Sequence, residues 1–214
     1  GGARKGAGKK RTGVRPRVTH AARPAHAPAN PVLVTVRVRD GLPSLRRAEA
    51  VAVLARAFDA GSVRFGFRLA HYSVQINHLH LIGEAHDRRA LARGIAGLLV
   101  RAARALNKLW KRRGRVFADH YHARPTKSPR EVRHALRYVL CNARHHGAKL
   151  RGPDPYSSGP WFDGWSAAVE PPSRPSPVVA PKTWLLRVGW KRHGTIGLDE
   201  CPGPDPATVP PRAT

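Results

Sequence analysis

The hydrophobic period of this chain switches between two and about 3.6 in a set order, and that order leaves few folds open. Val32, Val34, Val36 and Val38 alternate with Leu33, Thr35 and Arg37, the pattern of a half-buried strand. Over 44–60, Leu45, Val51, Leu54 and Phe58 recur at helical spacing, and Gly61 follows as a stop. Val63, Phe65, Phe67 and Leu69 alternate again, which predicts a second strand. A third is expected over 72–83, with His78 and His80 near its end. Asp87 is placed to cap a long helix carrying Leu91, Ile95, Leu98, Ala102, Leu106 and Leu109 up to about Gly114. Residues 116–123 read as a fourth strand. Ser128-Pro129-Arg130-Glu131 is a capping box with proline at the first helical position, and its helix runs to about Gly147. The order β-α-β-β-α-β plus one helix predicts an α+β chain: a ferredoxin-like antiparallel sheet with helices on one face and a further C-terminal helix.

Charge narrows the partners. The 214 residues hold 39 Lys+Arg against 13 Asp+Glu, a formal charge of +26, so a polyanion is expected, and nucleic acid before an anionic membrane. No apolar run reaches the roughly 18 residues of a spanning helix, and no signal-peptide pattern opens the chain. The two cysteines, Cys141 and Cys201, make no disulfide framework, which fits a reducing cytoplasm. The chain contains no methionine, which leaves its N-terminal boundary open. Residues 1–30 carry eight basic and no acidic side chains and read as a disordered arm suited to phosphate contact. Residues 31–150 form the folded domain. Residues 151–214 are rich in proline and hold Trp161, Trp165, Trp184 and Trp190; they read as an extended tail docked by its aromatics, with a short element at 183–193.

Two motifs carry chemistry. His78 and His80 project from one face of a strand, as two imidazoles must to share a metal ion. His-x-His is weak evidence in a chain with 12 histidines, because roughly 0.7 such pairs arise by chance, as 214 × (12/214)² gives. The chain has a second pair, His120 and His122. The last helix adds a stripe: His134, Tyr138, Asn142 and His145 fall at i, i+4, i+8 and i+11. Periodicity alone leaves a solvated face with an incidental tyrosine as an equal alternative.

The segment 72–82, with Asn77-His78-Leu79-His80-Leu81 inside it, resembles the "NHxHL" strand of the single-tyrosine HUH transposases. That family includes insertion-sequence transposases and REP-associated tyrosine transposases. The segment 136–142, centred on Tyr138 and closing on Asn142, resembles their catalytic helix, and 114–117 and 121–125 resemble the stretch between. The likeness covers about residues 31–147, with Ala143 where the family usually has proline. It implies that His78 and His80 are metal ligands, that Asn142 completes the site, that Tyr138 is the nucleophile and that the metal is Mg²⁺ or Mn²⁺. Imidazole ligation alone would suit other transition metals equally. The resemblance implies cleavage and rejoining of single-stranded or hairpin DNA through a 5′-phosphotyrosine, by a monomer or a homodimer. Arg124, Lys127 and Arg137 are then expected on the DNA backbone, with His134, His120 and His122 also facing DNA. Only Asp119 and Glu131 are acidic between Arg88 and Arg151, which disfavours a two-metal carboxylate nuclease. The rival readings are a replication-initiator or domesticated enzyme of the same kind, and a non-catalytic nucleic-acid-binding protein on a ferredoxin-like sheet.

Overall fold

The computed structural model describes residues 26–118 and 120–203. The basic arm expected over 1–30 therefore lies almost wholly outside the described residues. The elements run β1 (Val32–Arg37), α1 (Ala48–Asp59), β2 (Val63–Arg64), β3 (Phe67–Val74), β4 (His78–Ala85), α2 (Arg88–Leu109), β5 (His122–Pro125) and α3 (Pro129–His145). A 3₁₀ turn (Gly159–Trp161), the short helix α4 (Trp184–Arg187) and a second 3₁₀ turn (Gly189–His193) follow, the last two at the short element expected at 183–193.

The five strands form one sheet in the order β2-β3-β4-β1-β5, every pairing antiparallel. Leaving aside the two-residue β2, this is the ferredoxin-like order expected from the element sequence. The strand boundaries differ from expectation. The second strand does not run through Val63–Leu69: a two-residue turn at Phe65 (φ 55°) and Gly66 (φ 77°) splits it into the hairpin of β2 and β3. The third does not run through 72–83 either. The chain turns over Gln75–Asn77, where Gln75 N–H donates to the His78 carbonyl at 2.9 Å. His78 and His80 thus open β4 instead of closing a strand. The fourth strand sits later than expected, at His122–Pro125, while Phe117 makes only an isolated bridge to Val38. Alternation continues through such turns, and Gln-Ile-Asn carries no strong turn signal, whereas Gly66 did mark the first one.

Two cores flank the sheet. Val32, Val34, Val36, Leu79 and Leu81 point to one face and pack with Leu54 and Phe58 of α1 and Ile95 and Leu98 of α2. Leu33 and Ile82 point to the other face, beneath Leu136, Val139 and Leu140 of α3. Phe162, Trp165, Leu186 and Trp190 complete this second core from the C-terminal segment. Bonds tie that segment down: Arg46 makes a two-pronged ion pair with buried Asp154 at 2.9 and 3.0 Å, and buried Glu84 accepts from the backbone N–H of Lys182 and Thr183, both at 2.8 Å.

The caps read from the sequence are formed. Asp87 accepts from Ala90 N–H at 2.7 Å, and Ser128 accepts from Glu131 N–H at 3.3 Å. Glu131 in turn accepts from Lys127 N–H at 2.6 Å. The close approach of α2 to the sheet depends on Gly94, where an added Cβ would lie 2.2 Å from Phe67. A helical Gly→Ala change ordinarily stabilises by up to about 1 kcal/mol. Here overpacking wins, and Gly94→Ala is expected to cost about 1–3 kcal/mol in a thermal unfolding comparison. A raised melting temperature would contradict this packing.

A second expectation concerns pH. His71 on β3 is buried, and burial, opposed in part by Asp163, pushes its pKa down to about 4. The unfolded chain takes up this proton near pH 6.5, so the contribution of neutral His71 is complete above that pH and is lost as pH falls toward 4. The loss amounts to about 3 kcal/mol. Urea unfolding at pH 7.5 and 4.5 measures it, and His71→Phe should flatten the slope.

Candidate active site

Cross-strand register places the chemistry. Thr35 on β1 pairs with His80 on β4 and with His122 on β5, and Ser73 on β3 pairs with His80 from the other side. Directly opposed residues share a sheet face, so Ser73, His80, Thr35 and His122 form a row on the α3 side. Arg37 opposite His78 and Arg124 opposite Leu33 stand in the neighbouring rows.

Above this face, α3 brings Tyr138 onto His80, with ring centroids 4.7 Å apart and planes at 70°. The His78 and His80 rings are 4.6 Å apart. Asn142, one turn after Tyr138 and on the same helix face, is 1% exposed. Its Oδ1 and Nδ2 and the Nε2 of fully buried His80 have no hydrogen-bond partner among the described residues. Three orphaned polar atoms buried on facing elements are costly unless something absent from the protein itself satisfies them.

The remaining ring nitrogens are held. His80 Nδ1 lies 3.0 Å from Thr35 Oγ1, and His78 Nδ1–H donates to Asn77 Oδ1 at 2.8 Å. The contact at His80 leaves its Nε2 as the available ligand atom, the usual arrangement behind a metal-binding imidazole. Burial, and then the neighbouring His78 and His146, hold the His80 pKa well below the ordinary range. His80 is therefore neutral at physiological pH, the form that binds metal. No three His, Cys, Asp or Glu side chains converge on one point among the described residues. The donors that could hold a cation are two imidazoles and an amide.

The residues expected on DNA lie around this centre or beyond it. His122 lies across β1 from His80, about 10 Å away by strand spacing, and is exposed. His120 is exposed in the segment leading to β5, and Arg124 and Lys127 are exposed beyond it. His134 is exposed on α3, its pKa lowered by burial and then by Arg137, Arg133, Arg130 and His193. Arg137 faces Glu200 at 3.7 Å, beside the shorter Arg133–Glu200 pair at 2.7 Å. The C-terminal segment thus shares this stretch of α3.

The helix stripe read from the sequence ended on His145, which is exposed, as is His146 beside it. His146 comes round to the site instead, its ring 5.9 Å from His78. Its spacing of four from Asn142 was the signal for it. Thr35 and Arg37 also went unrecognised: their alternation marks a polar face, but only cross-strand pairing places that face under α3.

No family model matches the chain, and no curated protein matches it in sequence. Among solved structures, it is similar to a REP-associated tyrosine transposase bound to a REP hairpin, with TM-score 0.53, 14% identity, and 66% of this chain and 82% of that one covered. A protein from Deinococcus radiodurans R1 assigned to the transposases gives TM-score 0.39 at 12% identity, covering 52% of this chain and 86% of that one. The first likeness shows the fold: an α+β domain like that of this tyrosine transposase. Among the described residues, no helix is long and apolar enough to cross a membrane.

Proposed function

We propose that this chain is a metal-dependent single-stranded DNA endonuclease and strand-transfer enzyme of the single-tyrosine HUH type, with Tyr138 as nucleophile. The observation that carries this reading is the packing of Tyr138 on His80 at 4.7 Å, beside the orphaned His80 Nε2 and Asn142 Oδ1. The donor set fits a divalent cation held by His78, His80 and Asn142. Magnesium or manganese there would polarise the scissile phosphate and neutralise charge developing on it.

The chain's own residues do the rest. Exposed Arg37, His122 and Arg124 flank the site on the open part of the sheet face, where they can follow a phosphate backbone. The Tyr138 oxygen attacks phosphorus and gives up its proton to solvent. A P–O bond to tyrosine forms as the bond to the 3′ oxygen breaks, and that oxygen takes up a proton. The 5′-phosphotyrosine exchanges one diester for another, so a 3′ hydroxyl can reverse the step without ATP. Hairpin-forming DNA is the substrate class, as the bound DNA of the similar transposase suggests.

The test is incubation with end-labelled hairpin and single-stranded DNA, with and without Mn²⁺, resolved on a denaturing gel. A metal-dependent covalent adduct on the peptide containing Tyr138 is expected. Shifts seen only on native gels would leave a binding protein without this chemistry.

The role of Thr35 can be measured without turnover. Thr35→Val keeps shape but removes the group holding His80 Nδ1, and Mn²⁺ affinity by calorimetry should fall about 10- to 100-fold. Unchanged affinity would show that Thr35 does not position His80 for the metal.

A further inference from the structure

A cavity of about 380 Å³ lies between β3 and the C-terminal segment, away from the Tyr138 site. Its volume is at the lower end of small-molecule sites, about 300–1,000 Å³. Half-buried Trp161 gives it aromatic surface, backed by the almost fully buried Phe162 and Trp190, and His71, Asp163 and Ser176 add polar groups. We propose that this cavity receives one unstacked nucleobase of the DNA strand. The inference rests on the reading of the chain as a DNA-processing enzyme.

The shape of the chemistry favours a base. A flat heterocycle gains from aromatic walls whatever its sequence identity, and its edge needs mixed donors and acceptors. The cavity supplies both kinds. His71 Nδ1 lies 3.3 Å from Ser158 Oγ, and the ring is neutral at pH 7, able to donate through one nitrogen and accept through the other. Asp163 is largely exposed at the rim, 3.8 Å from Lys191, where its carboxylate can accept from ring or exocyclic N–H groups. Arg187, exposed on α4, gives the mouth a cation for the phosphate attached to a base. Arg174 lies over the Trp161 ring at 4.9 Å and accepts the indole N–H on its carbonyl at 3.2 Å, which holds that wall in place.

Position supports the same occupant. His71 pairs with Ile82 and Ser73 with His80, so cavity and catalytic pair share one sheet face. His71 and Ser73 are two residues apart on β3, about 7 Å along the strand. A strand with its phosphate at Tyr138 therefore has a base within a few nucleotides of the cavity mouth.

The test uses the full chain and the four deoxynucleoside 5′-monophosphates, with deoxyribose 5-phosphate as the baseless control, followed by ligand-observed NMR. At least one nucleotide should bind more tightly than the control, and single-stranded DNA should displace it. Ser176→Phe, which fills the cavity, should weaken that binding about tenfold or more. Trp161→Ala, at a half-buried position, should do the same and serves if the filled variant does not fold. Equal binding of nucleotides and control, or unchanged binding in the folded variants, overturns the proposal. Nucleotide binding that DNA fails to displace also overturns it, as the mark of a free-nucleotide site. The adduct test stands apart: an adduct without base-dependent binding sinks only the cavity, and base-dependent binding without an adduct sinks the nuclease.

Discussion

Tyr138→Phe is expected to abolish covalent adduct formation and strand cleavage while leaving DNA affinity within about twofold. The change removes one oxygen and keeps the ring that packs on His80 at 4.7 Å. Tyr138 is 5% exposed, so phenylalanine retains nearly all of its apolar contact with α3 and the sheet. Phenylalanine carries no oxygen to attack phosphorus, so cleavage should fall by several orders of magnitude, to the limit of detection. Gel quantification of adduct and cleaved strand, with binding measured in parallel by anisotropy, separates the two effects. Cleavage retained by Tyr138→Phe would remove it as the nucleophile. Loss of binding together with cleavage would mean that the hydroxyl holds the fold or the DNA.

Trp190→Ala should be the most destabilising single change in the second core, about 3–5 kcal/mol. Trp190 is the largest fully buried side chain, 1% exposed, and its ring lies 5.4 Å from that of Phe162. Gly164 is shaped around it: an added Cβ there would come within 2.3 Å of Trp190. A loss of this size is a large part of the 5–15 kcal/mol that holds a typical domain together. Because α3 rests on the same core, the change should also loosen the seat of Tyr138. Urea unfolding followed by circular dichroism measures the first effect. Adduct yield as a function of temperature measures the second, with an earlier fall expected for the variant. Trp190→Phe should recover most of the stability. A variant as stable as the parent would show that the C-terminal segment contributes little to the seat of α3.

The sequence alone determined the local elements and the chemistry-bearing motifs. Period-two and period-3.6 patterns are short-range, so β1, α1, α2 and α3 were legible, as were the caps at Asp87 and Ser128. The element order was enough for the ferredoxin-like sheet, because few topologies bury such a set. His78, His80, Tyr138 and Asn142 stood out by their resemblance to a family's motifs, while a strand's alternation and a helix's four-residue repeat set only which side chains share a face. Only the tertiary structure decided what depends on contacts between distant segments. The turn at 75–77 interrupts no hydrophobic pattern, so the start of β4 came from pairing with β1 and β3. Thr35 took on a role because β1 lies between β4 and β5, a register that no local pattern encodes. His146 replaced His145 because the end of α3 is oriented by its packing over the sheet. The C-terminal segment, poor in periodicity, is held by Asp154, Glu84 and buried aromatics whose partners lie scores of residues away. Local patterns report local geometry; the placement of α3 over His80 follows from burying two opposite faces of one sheet.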